Sequence, residues 1–255
     1  MSTTEERRLP GDLPLWEVPG WRERFGVVAG ITGRGDDPAE AFDLGLWGTA
    51  PIGTVMTRWR RFLAAFPEFP AASLAHQVHG SHLLWHQGEP LGWTLLPDAD
   101  GHATATAGRL LLVTVADCVP VYLVAPRQRV IALLHAGWRG TAAQILARGV
   151  ELLADRAGVE PTEIVGHAGI AISGSRYQVG SEVLAGVGLE ATGIGPWQLD
   201  LRAVLRKQAK ALGIGEFTVS SRCTSRERAS FFSHRASGGG DGRMVAYLGM
   251  LVDGG

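Results

Sequence analysis

Cys118 and His135 end neighbouring apolar runs, in Val115-Ala116-Asp117-Cys118-Val119-Pro120-Val121 and Leu134-His135-Ala136-Gly137-Trp138-Arg139-Gly140-Thr141. His79 lies upstream in Gln77-Val78-His79-Gly80. One thiol and two imidazoles match the ligand count of a catalytic zinc, which keeps a fourth position open for water or substrate. Thiolate selects zinc or copper(I) over magnesium or calcium, and imidazole suits both metals. His79 and Cys118 are too far apart for a compact zinc-finger pair, so only the fold can bring these ligands together. On residue type alone, a buried thiol and a strand-end histidine bonded to backbone remain alternatives.

The local context adds to the chemical reading. Asp117 and Cys118 follow an apolar run and precede Val119-Pro120, where the proline keeps the backbone extended, and strand ends are where open α/β sheets place ligand sites. After His135, the Gly137-Trp138-Arg139-Gly140 turn is predicted to open a helix near Thr141. Free N–H groups and the positive dipole end at such a start favour an anion, and Arg139 adds a full charge suited to phosphate. The plainer reading is a strand-to-helix turn with Trp138 on the core. Asp117 and Asp100, the latter from Asp98-Ala99-Asp100-Gly101, are the carboxylates placed to move protons, although Asp beside a turn glycine also serves as an Asx-turn residue. On a strand His76 and His79 would face opposite sides, which makes His76 a surface histidine, and Cys223 is expected to pack.

Apolar runs at residues 25–31, 110–115, 121–125, 130–134, 164–172, 217–220 and 244–252 read as strands. Several are apolar on successive residues, which predicts strands covered on both faces. Val55, Trp59, Phe62, Leu63 and Phe66 recur at helical spacing. Further helices are expected at 141–156 and 201–212, the second capped by Asp200. Strands alternating with helices predict an α/β (mixed α+β) layered fold with flanking helices, a single domain over 1–255 with an irregular N-terminal extension at 1–20. The glycine-rich stretch at 237–242 reads as a surface loop.

Composition narrows the function classes. At 255 residues the chain can bury a large core without staples, and a net charge of −1 offers no electrostatic footprint for nucleic acid or an anionic membrane. Two cysteines and the lack of an apolar leader or spanning segment predict a cytoplasmic protein in a reducing compartment.

Gln-Val-His-Gly at 77–80, Ala-Asp-Cys-Val-Pro-Val at 116–121, His-Ala-Gly-Trp-Arg-Gly at 135–140, Tyr-Gln-Val-Gly at 177–180, Arg-Cys-Thr at 222–224 and Phe-Phe-Ser-His-Arg at 231–235 together resemble the ordered motifs of the YfiH-type family. That family carries the names laccase-domain protein, polyphenol oxidase and purine nucleoside phosphorylase. The resemblance implies a single-domain α/β fold with zinc held by His79, Cys118 and His135. It also implies phosphorolysis of adenosine, inosine or methylthioadenosine, and deamination of adenosine, with a purine nucleoside and phosphate as partners. His234 and Arg235, after the aromatic pair Phe231-Phe232, are candidates to close over a purine by stacking and hydrogen bonding, the plainer reading being an apolar anchor for the final strand. The chain departs from the family pattern at Ile170, where proline is common, and at Gln178, where glutamate is common. The family's Ser/Thr-Arg-Gly-Gly stretch survives only as Thr32-Gly33-Arg34-Gly35, with Arg34 as the anion or substrate contact. The Asn usual in the family is also missing from Phe42-Asp43-Leu44-Gly45-Leu46-Trp47-Gly48.

Phosphorolysis requires a held anion, tolerance of positive charge on the sugar, and a proton or Lewis acid for the departing base. Deamination instead requires a metal that lowers the pKa of water for attack on the ring carbon bearing the amino group. The resemblance also implies two other chemistries for some of the same residues. One is amide hydrolysis of peptidoglycan precursors, by metal-activated water or by Cys118 as nucleophile with His135 as base. The other is copper oxidation of phenols, against which stand 8 histidines without a His-x-His pair and no evident axial Met.

Overall fold

The computed structural model describes residues 3–88 and 91–252. In chain order the strands are β1 (Thr3–Thr4), β2 (Arg7–Arg8), β3 (Leu15–Glu17), β4 (Val27–Thr32), β5 (Ala71–Ala75), β6 (Leu84–His86), β7 (Gly92–Leu96) and β8 (Gly101–Thr104). They continue as β9 (Arg109–Val115), β10 (Val119–Ala125), β11 (Val130–Ala136), β12 (Val165–Ala168), β13 (Gln178–Val179), β14 (Trp197–Gln198), β15 (Glu216–Ser220) and β16 (Met244–Met250). The α-helices are α1 (Trp21–Phe25), α2 (Ile52–Ala64), α3 (Trp138–Ala142), α4 (Ile145–Ala157), α5 (Ser181–Gly186) and α6 (Leu201–Ala211).

Among the described residues fourteen of these strands form two seven-stranded sheets, in the orders β1-β15-β12-β10-β11-β8-β6 and β2-β3-β4-β16-β9-β5-β7, and β13 pairs with β14 alone. The central pairings, β10 with β11 and β9 with β16, are antiparallel. The outer β5–β7 and β6–β8 pairs are parallel.

Strand parity explains the layering. In β9, Leu111, Val113 and Val115 meet Tyr122, Val124, Ile131 and Leu133 of the other sheet in one buried cluster. The alternate residues, Leu110 and Leu112, pack with Val55, Trp59 and Phe62 of α2. In β11 the alternate residues Ala132 and Leu134 pack with Ile145, Val150 and Leu153 of α4 and Leu205 of α6. The order is therefore helix, sheet, sheet, helix, and the unbroken apolar runs are strands buried on both sides. Tyr122 adds a polar tie by donating its hydroxyl to the Gly30 carbonyl across the sheet interface at 2.8 Å.

Asp200 caps α6 as expected, accepting from Arg202 N and Ala203 N. The single helix predicted over 141–156 is instead two. Helix α3 starts at Trp138, and Gln144 at φ 59° breaks the path before α4. The break frees the two segments to dock separately, α3 against the loop holding Gly80 and α4 against Leu134 and Leu123 of the sheet. The run expected as a strand over 164–172 stops at Ala168. Gly169 there approaches Pro120 and the Tyr122 ring so closely that a Cβ would meet the ring at 2.9 Å.

The N-terminal stretch expected to be irregular adds strands to both sheets, β1 beside β15 and β2–β3 beside β4. Buried Glu6 fastens it, bonded to His167 Nε2 at 3.0 Å and accepting from the Ser220 hydroxyl at 2.6 Å. No helix among the described residues is long and apolar enough to cross a membrane.

Because Leu133 fills the space between the sheets, Leu133→Ala is expected to lower unfolding stability by about 2–5 kcal/mol in urea denaturation. A loss below about 1 kcal/mol would contradict the packed interface.

Candidate metal centre and cavity

Three of the chain's crossings between the two sheets, β5 to β6, β7 to β8 and β9 to β10, bear on the site. These crossings carry His79, Asp100 and Cys118 respectively, and His135 stands near the end of β11. Residues far apart in sequence thus meet at one end of the sandwich. The ligand atoms of His79, Cys118 and His135 all lie within 4.8 Å of one another. His135 is buried, Cys118 half-buried and His79 exposed, so the trio grades from core to solvent.

Asp100, fully buried, organises this end. Its Oδ1 accepts from His135 Nδ1 at 2.9 Å and from His79 N at 2.9 Å, while Oδ2 accepts from Gly80 N at 2.6 Å. One carboxylate therefore bends the 78–80 loop, with His79 at φ 60°, and sets the His135 tautomer. With Nδ1–H committed to Asp100, Nε2 of His135 carries the lone pair available to a metal. Gln77 ties the same loop to β9 by accepting from Thr114 N at 2.7 Å and donating to Thr114 O at 2.8 Å.

Asp117 turns the chain at the sheet crossing with φ 84°. Its carboxylate accepts from Thr224 Oγ1 at 2.5 Å and Arg235 N at 2.6 Å.

Two glycines make room. A Cβ at Gly137 would meet Cys118 Sγ at 3.1 Å and His79 Cδ2 at 3.2 Å, and one at Gly140 would meet the Gly80 carbonyl at 2.7 Å. Burial opposes charge on both Cys118 and His135. Their mutual attraction and hydrogen bond, with Asp100 behind the ring, outweigh it, pulling the thiol below its ordinary value and the imidazole above. The donor set, one thiol and two imidazoles within 4.8 Å of one another, suits a borderline or soft metal.

The trio lines a cavity of about 510 Å³, a volume that accommodates a small organic ligand. Trp47, His76 and Thr49 form part of its wall, with Asp43, His234, Arg243 and the segment 239–242 completing it. The glycine-rich stretch is thus part of the cavity rather than a plain surface loop.

Of the other residues singled out from sequence, His234 reaches the cavity. Arg34 stands behind its wall, stacked on Phe232 and paired with Asp241 at 2.6 Å. Arg139 is exposed with its guanidinium 4.4 Å from the Trp138 ring centre, and Arg235 lies over Tyr177 and donates to the Gln178 carbonyl. Asp100 sits behind His135 rather than in the cavity. Cys223 is buried and accepts from Ser173 N. Sequence reasoning missed Trp47, Asp43 and Asp241 and left Arg243 without a role. The signal for the last two was their position at the close of the glycine run.

The family profile described as "Multi-copper polyphenol oxidoreductase laccase" matches residues 25–251. The chain is 36% identical over 267 residues to "Purine nucleoside phosphorylase YlmD" of Geobacillus stearothermophilus, covering 93% of this chain and 97% of the relative. It is 37% identical over 251 residues to "Purine nucleoside phosphorylase" of Deinococcus radiodurans, covering 94% of each. The crystal structure of YlmD from Geobacillus stearothermophilus superposes with a TM-score of 0.83 at 31% identity, covering 97% of this chain and 100% of that one.

Asp100→Asn puts an amide where N–H groups converge, and it is expected to weaken metal binding by about 10–100-fold in a chelator competition. Unchanged affinity would contradict the orienting role. In metal-free protein the Cys118 thiolate, followed by its 240 nm absorbance, should titrate below the usual thiol value of about 8.5. His135→Ala removes the positive partner and should move that midpoint upward. A downward or absent shift would contradict the pairing.

Proposed function

We propose that this chain, which belongs to the multi-copper polyphenol oxidoreductase laccase family, is a zinc-dependent purine nucleoside phosphorylase with adenosine deaminase activity. Adenosine, inosine and methylthioadenosine are its proposed nucleosides, phosphate its second substrate and the cytoplasm its location. The observation that carries the reading is the His79, Cys118 and His135 trio lining a cavity of nucleoside size. Relatives named purine nucleoside phosphorylase along nearly the whole chain support it. The family's copper label fits the donor set less well. Among the described residues this is the one cluster of at least three ligating groups, whereas a multicopper oxidase needs many imidazoles for several ions.

In phosphorolysis a phosphate oxygen bonds to the anomeric carbon while the bond from that carbon to the purine nitrogen breaks and the base takes up a proton. Arg243 on the cavity wall supplies positive charge to the anion. Arg139 and Arg235 add to it from the side of Tyr177, whose hydroxyl is pushed above its ordinary value by burial and by the charges of Cys118 and Asp117, with Arg235 and Arg139 opposing. His234, in the cavity wall, is placed to hydrogen-bond the base. Arg34 acts through Asp241, which it fixes in the wall. Asp100 holds the His135 ring and the His79 loop, and Asp117 fixes the backbone at Arg235. Zinc bound to the trio would supply Lewis acidity to the base and, for deamination, the means to activate water.

A second reading rests on one specific arrangement. Asp100, His135 and Cys118 form a carboxylate–imidazole–thiol series like that of a cysteine hydrolase, which suits amide cleavage in peptidoglycan precursors. Copper bound by the same three donors is the lesser alternative for the metal.

The test is product analysis with inosine and adenosine. Hypoxanthine and adenine should be released only when phosphate is present, and inosine should form from adenosine. Chelation, Cys118→Ser or His135→Ala should lower kcat/KM by roughly 10²–10⁴-fold. No turnover of either nucleoside at saturating phosphate would overturn the reading. Amide hydrolysis that survives chelation would favour the thiol mechanism.

A further inference from the structure

Trp47 stands out among the tryptophans. It is 51% exposed, while the other seven of the chain's 8 are buried or half-buried. An exposed indole forgoes the burial that ordinarily stabilises so large an apolar ring, and it lines the same cavity as the metal-ligating trio. Its position is fixed rather than incidental. Asp43 accepts from both Gly45 N and Arg243 N at 2.8 Å, and Trp59 Nε1 donates to the Leu44 carbonyl at 3.0 Å. The chain leading to Trp47 is therefore bolted to both the cavity wall and helix α2.

The ring itself is braced on one side. His76 lies with its centroid 4.7 Å from that of Trp47 at an interplanar angle of 59°, and Asp98 Oδ1 lies 3.3 Å from His76 Nδ1. Both rings line the cavity. A rigid, half-solvated indole beside a polar pocket offers a flat π-surface to one kind of ligand group, a planar heteroaromatic ring.

We propose that Trp47, braced by His76, is the platform on which the purine base stacks. The inference rests on the nucleoside reading above. Stacking is indifferent to the exocyclic groups of the base, so one platform accepts adenosine and inosine alike. Trp47 is a substrate-positioning residue. It touches the base and takes no proton.

The test compares Trp47→Ala and Trp47→Phe with the wild-type protein, using inosine at saturating phosphate, with inosine Kd from equilibrium dialysis. Trp47→Ala should raise KM and Kd about 10-fold, the factor that one lost base–aromatic stack of about 1.4 kcal/mol removes. Its kcat should change less than about threefold, and Trp47→Phe should restore most of the affinity. Quenching of indole emission by inosine should be present in the wild type and lost in Trp47→Phe. Metal content and melting temperature, unchanged in both variants, separate this from a folding defect. Wild-type KM and Kd in Trp47→Ala would overturn the platform while leaving the phosphorylase reading intact. If the wild-type protein neither binds nor turns over any nucleoside, both fall together.

Discussion

The carboxylate of Asp100 is the constraint on which the site depends. It is fully buried, and its charge is tolerated there because both oxygens accept strong hydrogen bonds, from the His135 ring and from the amides of His79 and Gly80. One group thereby does two jobs. It selects the His135 tautomer that leaves Nε2 free, and it forces the loop after β5 into the left-handed turn that presents His79. Removing the charge would release the loop and the ring together, which is why the donors of a solvent-facing centre are organised from inside the core.

The sandwich supplies the rest. Because the strand order sends the chain from one sheet to the other at three points on the same end, groups from four distant segments converge without any of them being close in sequence. Glycine keeps the convergence tight: at Gly137 and Gly140 a single methyl group would press on Cys118, His79 or the Gly80 carbonyl. The short His-Ala-Gly-Trp-Arg-Gly motif is thus largely a packing code. Its histidine is the chemical element, and its glycines are the spaces that let Cys118, His79 and the Gly80 carbonyl approach.

Much of this was legible in the sequence. Apolar residues at successive positions of 110–115 and 130–134 announced strands buried on both faces, and a thiol and an imidazole at the ends of apolar runs marked a strand-end site. Gln144 was not legible, because nothing in its side chain demands a left-handed backbone. The break comes from two helices docking on different partners. The glycine run at 237–242 looked like a loop because composition reports backbone freedom and not what the backbone faces. Arg139 stood out from its place after a strand, but its resting place over the ring of its own neighbour Trp138 was not legible in the sequence. Trp47 was silent for a similar reason: a lone tryptophan in a sequence reads as core, and only the cavity shows it to be exposed.

The family description and the names of its relatives point to different chemistries, copper oxidation and purine phosphorolysis, and the geometry bears on the choice through the number and kind of donors. The most direct measurement is anomalous diffraction from crystals of the metal-loaded protein, collected on either side of the zinc absorption edge. One peak is expected, about 2.3 Å from Cys118 Sγ and about 2.0–2.1 Å from a ring nitrogen of each of His79 and His135. A metal bound elsewhere, or a peak that one of those three side chains fails to reach, would contradict it.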